Sequence, residues 1–350
     1  MEKQYTQRLE KIEEHLRFWL PENPDSSWLE KVFLMPAEAI KPALLKNLSL
    51  PGWDLVNRGG KRWRPLLMVL IAGALGGEKG ETAAFSLSPL VEFAHNASLI
   101  HDDIEDNSDE RRGKPAVHLL YGNDSAINSG SFLYFLAQTC ISASNISTEE
   151  KNLFFGTYAL YMRRLHLGQA MDISWHNDNL SFPGIEEYES MCYLKTGCLA
   201  RLAAVLGLYC TESRLDSNLT EKLGKGAEKL GLGFQILDDV KNLTTGVPGK
   251  KRGDDIVEGK KSLPILCFLH RYPEKRDFTF KCLKAARSSG SGASEIEELI
   301  KALEASTVLE EALVRGRGLI SESREILTGI NTLDPGSREL LGGLLDFISS

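Results

Sequence analysis

Two acidic clusters hold the side chains most able to do chemistry. His101-Asp102-Asp103-Ile104-Glu105-Asp106 follows directly on the apolar Leu99-Ile100, and Gln235-Ile236-Leu237-Asp238-Asp239-Val240-Lys241-Asn242 comes well downstream. On a helix Asp102 and Asp106 are i,i+4 and share one face, as do Asp238 and Asn242. Like charges at that spacing repel unless a cation sits between them. Two oxygen-rich faces point to Mg²⁺ carrying a phosphorylated substrate. Asp103 stands beside the first pair as a direct or outer-shell partner.

Basic residues accompany the acids. Arg111 and Arg112 lie in the loop leaving the first acidic helix, and a guanidinium donates two parallel hydrogen bonds to phosphate oxygens. Gly59-Gly60-Lys61-Arg62-Trp63-Arg64-Pro65 opens an apolar helix, where free N–H groups favour an anion and Lys61 and Arg64 can converge on one phosphate. Taken singly, that turn reads rather as a basic helix start with no ligand, and Asp-Asp-x-x-Asp rather as a solvated helix end. Lys195-Thr196-Gly197 places a cation and a hydroxyl inside an apolar helix, where a buried lysine needs a partner such as diphosphate. Gln169 and Asp172 share a face on the preceding helix. Lys250, Lys251 and Lys260 follow the second acidic cluster.

The elements that must position these groups read as helices. Apolar periodicity gives an amphipathic segment from Glu10 to Leu20 and long helices near 65–76, 84–105, 125–144, 149–176, 186–211 and 219–243. Capping boxes are expected at Ser27–Glu30, Ser147–Glu150 and Ser294–Glu297. Loops fall at 107–115, 177–184, 244–254 and 288–293, the last a flexible Ser/Gly connector before C-terminal helices. No run of alternating β-branched residues stands out. The expected fold is all-α: one large single-domain helical bundle over residues 1–350 around a central cavity, with residues 1–50 as an N-terminal helical segment.

Composition limits the function classes. The 350 residues carry a net charge of −7, with 42% hydrophobic and 25% charged residues. No basic stripe outweighs the acids, which argues against nucleic-acid binding. No segment approaches the ~20 uninterrupted apolar residues of a membrane span. Met1–Tyr5 lacks the apolar run of a secretory signal. Six scattered cysteines without CxxC spacing read as reduced thiols and point to the cytoplasm.

As a set and in this order, Gly59–Pro65, Asp102–Asp106 with Arg111-Arg112-Gly113, Lys195–Gly197 and Phe234–Asp239 resemble the trans-isoprenyl diphosphate synthases. The likeness spans roughly residues 55–270. It is nearest the geranylgeranyl diphosphate synthases of eukaryotic type, through His95–Leu99, Ala126–Ser129 and Gly168-Gln169 with Asp172–Trp175. Asn242 departs from the family's usual aspartate, as it also does in the geranylgeranyl group. The resemblance implies a homodimeric, Mg²⁺-dependent prenyltransferase that joins isopentenyl diphosphate to an allylic diphosphate. Position by position it gives Lys61, Arg64, His95 and Arg112 to isopentenyl diphosphate. Arg111, Lys195, Thr196, Gln235, Lys260 and one of Lys250 or Lys251 go to the allylic diphosphate. Asp102, Asp106 and Asp238 would hold about three Mg²⁺ ions, with Asp102, Asp103, Asp106, Lys195 and Asp238 as the catalytic set. Ala97 and Ser98 are small, so a channel below Asp102 is not stopped there. Tyr134, Phe135 and His166 would form the floor that sets a C20 product. Ser131 stands where many bacterial relatives carry aspartate.

The rival readings are a farnesyl or longer-chain synthase and a non-catalytic partner subunit. A terpene cyclase has no need of Lys61, Arg64 and Arg112, and a partner subunit is expected to have a broken first motif.

Overall fold

The computed structural model describes residues 2–36, 40–177, 182–246 and 252–349; Lys250 and Lys251 lie outside them. Among the described residues there are seventeen α-helices and one two-stranded hairpin. In chain order these begin with α1 (Glu2–Trp19), α2 (Ser26–Phe33), α3 (Pro42–Asn57), α4 (Trp63–Leu87) and α5 (Pro89–Glu105). The hairpin β1 (Glu110–Arg111) and β2 (Lys114–Pro115) follows, then α6 (Val117–Tyr121), α7 (Asn123–Ala143), α8 (Thr148–Asn177) and α9 (Ile185–Cys192). A π-helical turn at Tyr193–Gly197 leads into α10 (Cys198–Tyr209) and α11 (Ser217–Thr244). The remainder comprises α12 (Asp254–Glu258), α13 (Leu263–Arg271), α14 (Arg276–Ser289), α15 (Ser294–Glu304), α16 (Val308–Thr328) and α17 (Pro335–Ser349).

Local chemistry accounts for the helix ends. α1 buries the stripe Ile12, Leu16 and Trp19 and ends just before Pro21, which supplies no N–H to continue the ladder. α2 is capped by Asp25, whose carboxylate accepts the Trp28 N–H at 2.8 Å, so the helix starts ahead of the expected Ser27–Glu30 box. At α8 the expected box does form: Ser147 Oγ accepts from the Glu150 N–H at 3.2 Å, and the Ser147 N–H donates to Glu150 Oε2 at 2.8 Å. α15 has Ala293 as its N-cap and no side-chain cap, so no box forms at Ser294. α4 breaks at Gly77 (φ 59°), inside the gap left between the two expected helices.

Contacts divide the chain into two compact units. The first contains Met1–Met162, Leu202–Gly224 and Ile330–Leu344. Its core includes Leu90, Val91, Phe93, Ala94, Ala97 and Ile100 of α5, all without solvent exposure. Each large apolar side chain removed from water in this way contributes about 1.5–3 kcal/mol. Where α3 approaches α7, the Gly52 N–H donates to Ser129 Oγ at 3.0 Å.

The second unit contains Arg163–Arg201, Lys225–Gly329 and Leu345–Ser350. One of its apolar clusters joins Tyr188, Leu232, Ile236 and Leu263; another joins Leu283, Ala286, Ile296 and Ile300. That second cluster takes residues from both α14 and α15. The Ser288–Gly292 stretch, expected as a connector between separate parts, is instead the end of α14 and a surface 3-10 turn between two helices that share one apolar cluster. The helical run Ile185–Tyr209 is long and apolar enough for a membrane span by composition, yet 78% of that window is buried within the protein. All six cysteines are free thiols.

Candidate active site

In the first unit the functional side chains gather at the C-terminal end of α5 and the hairpin after it. The Asp106 N–H donates to the Asp102 carbonyl at 2.8 Å, so helical geometry keeps both carboxylates on one face. Asp103 turns the other way. It is fully buried and accepts from Arg111 through Nε at 2.8 Å and through Nη2. Arg111 Nη2 also lies 3.7 Å from Asp102 Oδ2. Asp103 therefore holds Arg111 beside the Asp102 carboxylate.

The Arg-Arg-Gly sequence is a tight hairpin turn. Glu110 pairs with Pro115 and Arg111 with Lys114, leaving Arg112 (φ 54°) and Gly113 (φ 74°) as a two-residue loop. Positive φ at both central residues is what a type I′ turn requires, and it comes freely to glycine but not to arginine. Arg112 is held there by hydrogen bonds from Nη1 to the Leu55 carbonyl (2.9 Å) and to Asn96 Oδ1 (3.1 Å). Arg58, which the sequence reading passed over, braces the hairpin. Its Nη1 donates to the carbonyls of Arg111 (2.9 Å) and Pro115 (3.0 Å), while Nη2 pairs with Asp54 at 2.6 Å.

Arg64 enters the same region from the start of α4. It is buried, with Nη1 3.4 Å from His95 Nε2 and its guanidinium over the Trp63 ring. Lys61 is exposed in the turn before it. Burial and then the charges of Arg64, Arg112, Arg62 and Arg111 hold the His95 imidazole well below its ordinary pKa, so it is neutral at pH 7. Burial, with Arg62, Arg111 and Arg58 nearby and Glu92 opposing, lowers Arg112 to about 10. Burial first, and neighbouring cations after it, disfavour the charge on Arg112. An anionic ligand reverses that penalty.

Below this cluster, Ala97 is buried and Ser98 Oγ donates to the His95 carbonyl at 2.8 Å. The Tyr134 ring stacks on His101 at 5.8 Å, and its carbonyl accepts the Tyr158 hydroxyl at 2.9 Å. Ser131 Oγ lies 3.4 Å from His101 Nε2. Phe135 is 69% exposed, and His166 is exposed as well. One residue along a helix turns the side chain by about 100°, so Phe135 faces away from the direction of Tyr134. Of the expected floor, Tyr134 is the member the structure ties to the acidic helix.

The second unit builds its own polar cluster. The π turn interrupts what would otherwise be a continuous α9–α10 helix, and such bulges alter the facing of successive side chains. Lys195 Nζ pairs with Asp172 Oδ2 at 2.5 Å. Thr196 Oγ1 donates to Gln235 Oε1 at 2.9 Å, and Gln235 Nε2 donates to Asp239 Oδ1 at 3.0 Å. Two glycines let neighbouring helices close on the turn. A Cβ at Gly168 would lie 2.5 Å from the Lys195 nitrogen, and one at Gly231 would lie 2.5 Å from Gly197 Cα.

Asp238 is half-buried, whereas Asp239 is 4% exposed and spans the cluster's interior. Asp239 Oδ2 accepts from the Tyr188 hydroxyl at 2.6 Å and from the Leu263 N–H at 3.1 Å. Burial raises its pKa to about 6 against the pull of those donors. The sequence reading named Asp238 and passed over Asp239. The missing signal was its place on the apolar face of α11, between Ile236 and Val240. Asn242 is 1% exposed. Its side-chain oxygen accepts the Asp255 N–H at 3.2 Å and its carbonyl accepts the Gly253 N–H at 2.9 Å, so it anchors the start of α12. Lys260 pairs with Glu258 at 2.5 Å and lies 3.9 Å from Asp255. Gln169 is partly exposed on the helix that carries Asp172.

Among the described residues no group of three or more His, Cys, Asp or Glu forms a ready-made metal cage. The donor chemistry nonetheless fits Mg²⁺. Asp102 and Asp106 offer hard oxygens on one face, and Mg²⁺ binds through one or two carboxylates while keeping positions for water and substrate phosphate.

A geranylfarnesyl diphosphate synthase of Aeropyrum pernix is 32% identical over 325 residues, covering 90% of this chain and 97% of its own. A geranylgeranyl pyrophosphate synthase of Aspergillus fumigatus is 33% identical over 261 residues, covering 74% of this chain and 68% of its own. The crystal structure of a polyprenyl synthase from Caulobacter crescentus CB15, complexed with calcium and isoprenyl diphosphate, aligns with a TM-score of 0.73. It is 26% identical, over 93% of this chain and 99% of that one. The polyprenyl synthetase family pattern matches residues 45–303, more than half of the sequence, and the chain belongs to that family.

Proposed function

We propose that this prenyltransferase condenses isopentenyl diphosphate head-to-tail with an allylic diphosphate (dimethylallyl, geranyl or farnesyl), releases diphosphate, and makes geranylgeranyl diphosphate as its main product. The observation that carries this reading is the crowd of cations around a neutral His95, next in the chain to the carboxylate face of Asp102 and Asp106. A cyclase has no use for that second anion site.

In the proposed reaction Lys61, Arg64 and Arg112 bind the diphosphate of isopentenyl diphosphate, and His95 hydrogen-bonds to it. Lys195, Thr196, Gln235, Lys260 and Arg111 bind the allylic diphosphate, together with Lys250 or Lys251. The allylic C–O bond breaks, its electron pair leaving with diphosphate. The double bond of isopentenyl diphosphate attacks the resulting carbocation, forming a C–C bond. A proton then leaves the adjacent carbon for the released diphosphate. Fixed cations stabilise the charge that grows on the leaving group, at about 3 kcal/mol for each well-placed donor. Mg²⁺ held by Asp102, Asp106 and Asp238 would neutralise the diphosphate oxygens.

Product length depends on what stands beyond Asp102. Small Ala97 and Ser98 are taken to leave room, and the stacking of Tyr134 on His101 supports Tyr134 as the group that stops the chain. The C25 relative from Aeropyrum pernix supports a longer product as the second reading. Incubation with Mg²⁺, isopentenyl diphosphate and each primer, followed by product sizing, should give C20 chains, and Tyr134→Ala should lengthen them. A C25 main product favours the second reading; no condensation with any primer refutes the synthase and leaves a partner subunit. We further infer assembly with a second copy, supported by exposed Leu119, Leu120, Ile127 and Phe135 on α6 and α7. The free thiols support a cytoplasmic setting.

A further inference from the structure

The N-terminal helix α1 reaches the hairpin arginine through a chain of four side-chain links. Glu13 Oε1 accepts from Arg62 Nε at 2.6 Å. Arg62, at φ 47° just before α4, donates Nη1 to Glu92 Oε1 at 2.7 Å and Nη2 to the Val56 carbonyl. The same Glu92 oxygen accepts from Asn96 Nδ2 at 2.8 Å. Asn96 Nδ2 also donates to the Glu92 carbonyl at 2.8 Å, and Asn96 Oδ1 accepts from Arg112 Nη1 at 3.1 Å. Arg62, Glu92 and Asn96 are all buried.

Each member of this chain has its orientation fixed by the one before. An amide has one oxygen and one NH₂; with the NH₂ spent on Glu92, Asn96 must show its oxygen to Arg112. Glu92 keeps its place because Arg62 holds it, and Arg62 has two carboxylates, Glu13 and Glu92, to share its charge. Glu92 is also the group that opposes the loss of charge on Arg112. Glu13, the end of the chain remote from Arg112, is partly open to solvent, its side chain 26% exposed, with Arg17 3.9 Å from its other oxygen. If Glu13 is removed, Arg62 draws wholly on Glu92, and Asn96 and Arg112 lose their share of that carboxylate.

We propose that Glu13 of α1 is a positioning residue for the isopentenyl diphosphate site, acting on Arg112 through Arg62, Glu92 and Asn96. This rests on the assignment of Arg112 to that substrate. Steady-state kinetics of the full-length Glu13→Ala and Glu13→Gln proteins, with melting temperature recorded for each, tests it against Arg112→Ala. The expected result is a KM for isopentenyl diphosphate raised about fivefold, the size of coupling within one hydrogen-bond network, with kcat and the KM for the allylic substrate within twofold of wild type. Unchanged constants, or an equal rise in both KM values, overturn the role of Glu13 while leaving Arg112 in place. If Arg112→Ala does not raise the isopentenyl diphosphate KM, the substrate assignment falls, and the Glu13 proposal falls with it. If Glu13→Ala does not fold, the near-isosteric Glu13→Gln decides by the same criteria.

Discussion

At the end of α5, two adjacent aspartates meet opposite surroundings. Asp102 shares a face with Asp106, and Asp103 is buried against Arg111. Asp102→Ala should therefore lower kcat by about 10²–10³-fold, the scale for losing one preorganised electrostatic group, with an unchanged circular dichroism spectrum. Unaltered turnover would remove Asp102 from the metal set. His95 gives a pH prediction. Its folded pKa lies well below the ~6.5 of an unfolded histidine, so below that pH the unfolded chain binds a proton the folded chain refuses. Its stability contribution is intact above about pH 6.5, falls as the pH drops, and is lost once the pH passes the depressed folded value. Melting temperatures between pH 7.5 and 5 should drop more steeply for the wild type than for His95→Gln. Parallel slopes would show that His95 titrates normally. Spacing alone placed Asp102 and Asp106 on one helical face, and the resemblance to the isoprenyl diphosphate synthases added His95. The sequence did not reveal Arg58 or Asp239, whose roles arise from partners distant in the chain.

Helices positioned by tight contacts make the element scale sensitive to small side chains. α8 and α11 approach the π turn at glycines, and a methyl group at Gly168 would overlap the Lys195 nitrogen and, at 2.7 Å, the Leu194 carbonyl carbon. Gly168→Ala should cost about 1–3 kcal/mol of stability by overpacking. It should also shift Lys195 relative to Asp172, raising the KM for the allylic substrate. Wild-type melting and kinetics in that variant would mean the turn yields freely. Helix periodicity does not register the π turn, because residues 196–208 are buried on nearly every face and leave no apolar stripe whose phase the extra residue could shift. The hairpin is likewise indistinguishable from plain loop in the sequence, since two-residue strands are too short to show alternation.

For the whole molecule, the proposed chemistry needs a divalent cation between carboxylates and diphosphate. Exhaustive treatment with EDTA should reduce condensation to background, and added Mg²⁺ should restore it. Persistent turnover in chelator would rule out the metal-assisted reading for this chain. The N-terminal segment, which the motifs do not reach, is part of the first unit's polar network through Glu13, four side-chain links from Arg112.

The sequence by itself determined the all-α class, the approximate limits of α7, α8 and α11 and the shared face of Asp102 and Asp106, because these depend on periodicity and on residues close in the chain. Tertiary structure decided which of two neighbouring aspartates is buried, that Asn242 anchors α12, that 288–292 closes α14 and turns into α15, and that Phe135 faces outward. Each of these depends on the direction in which a helix presents its face. That direction is set by what packs against the helix from far along the chain.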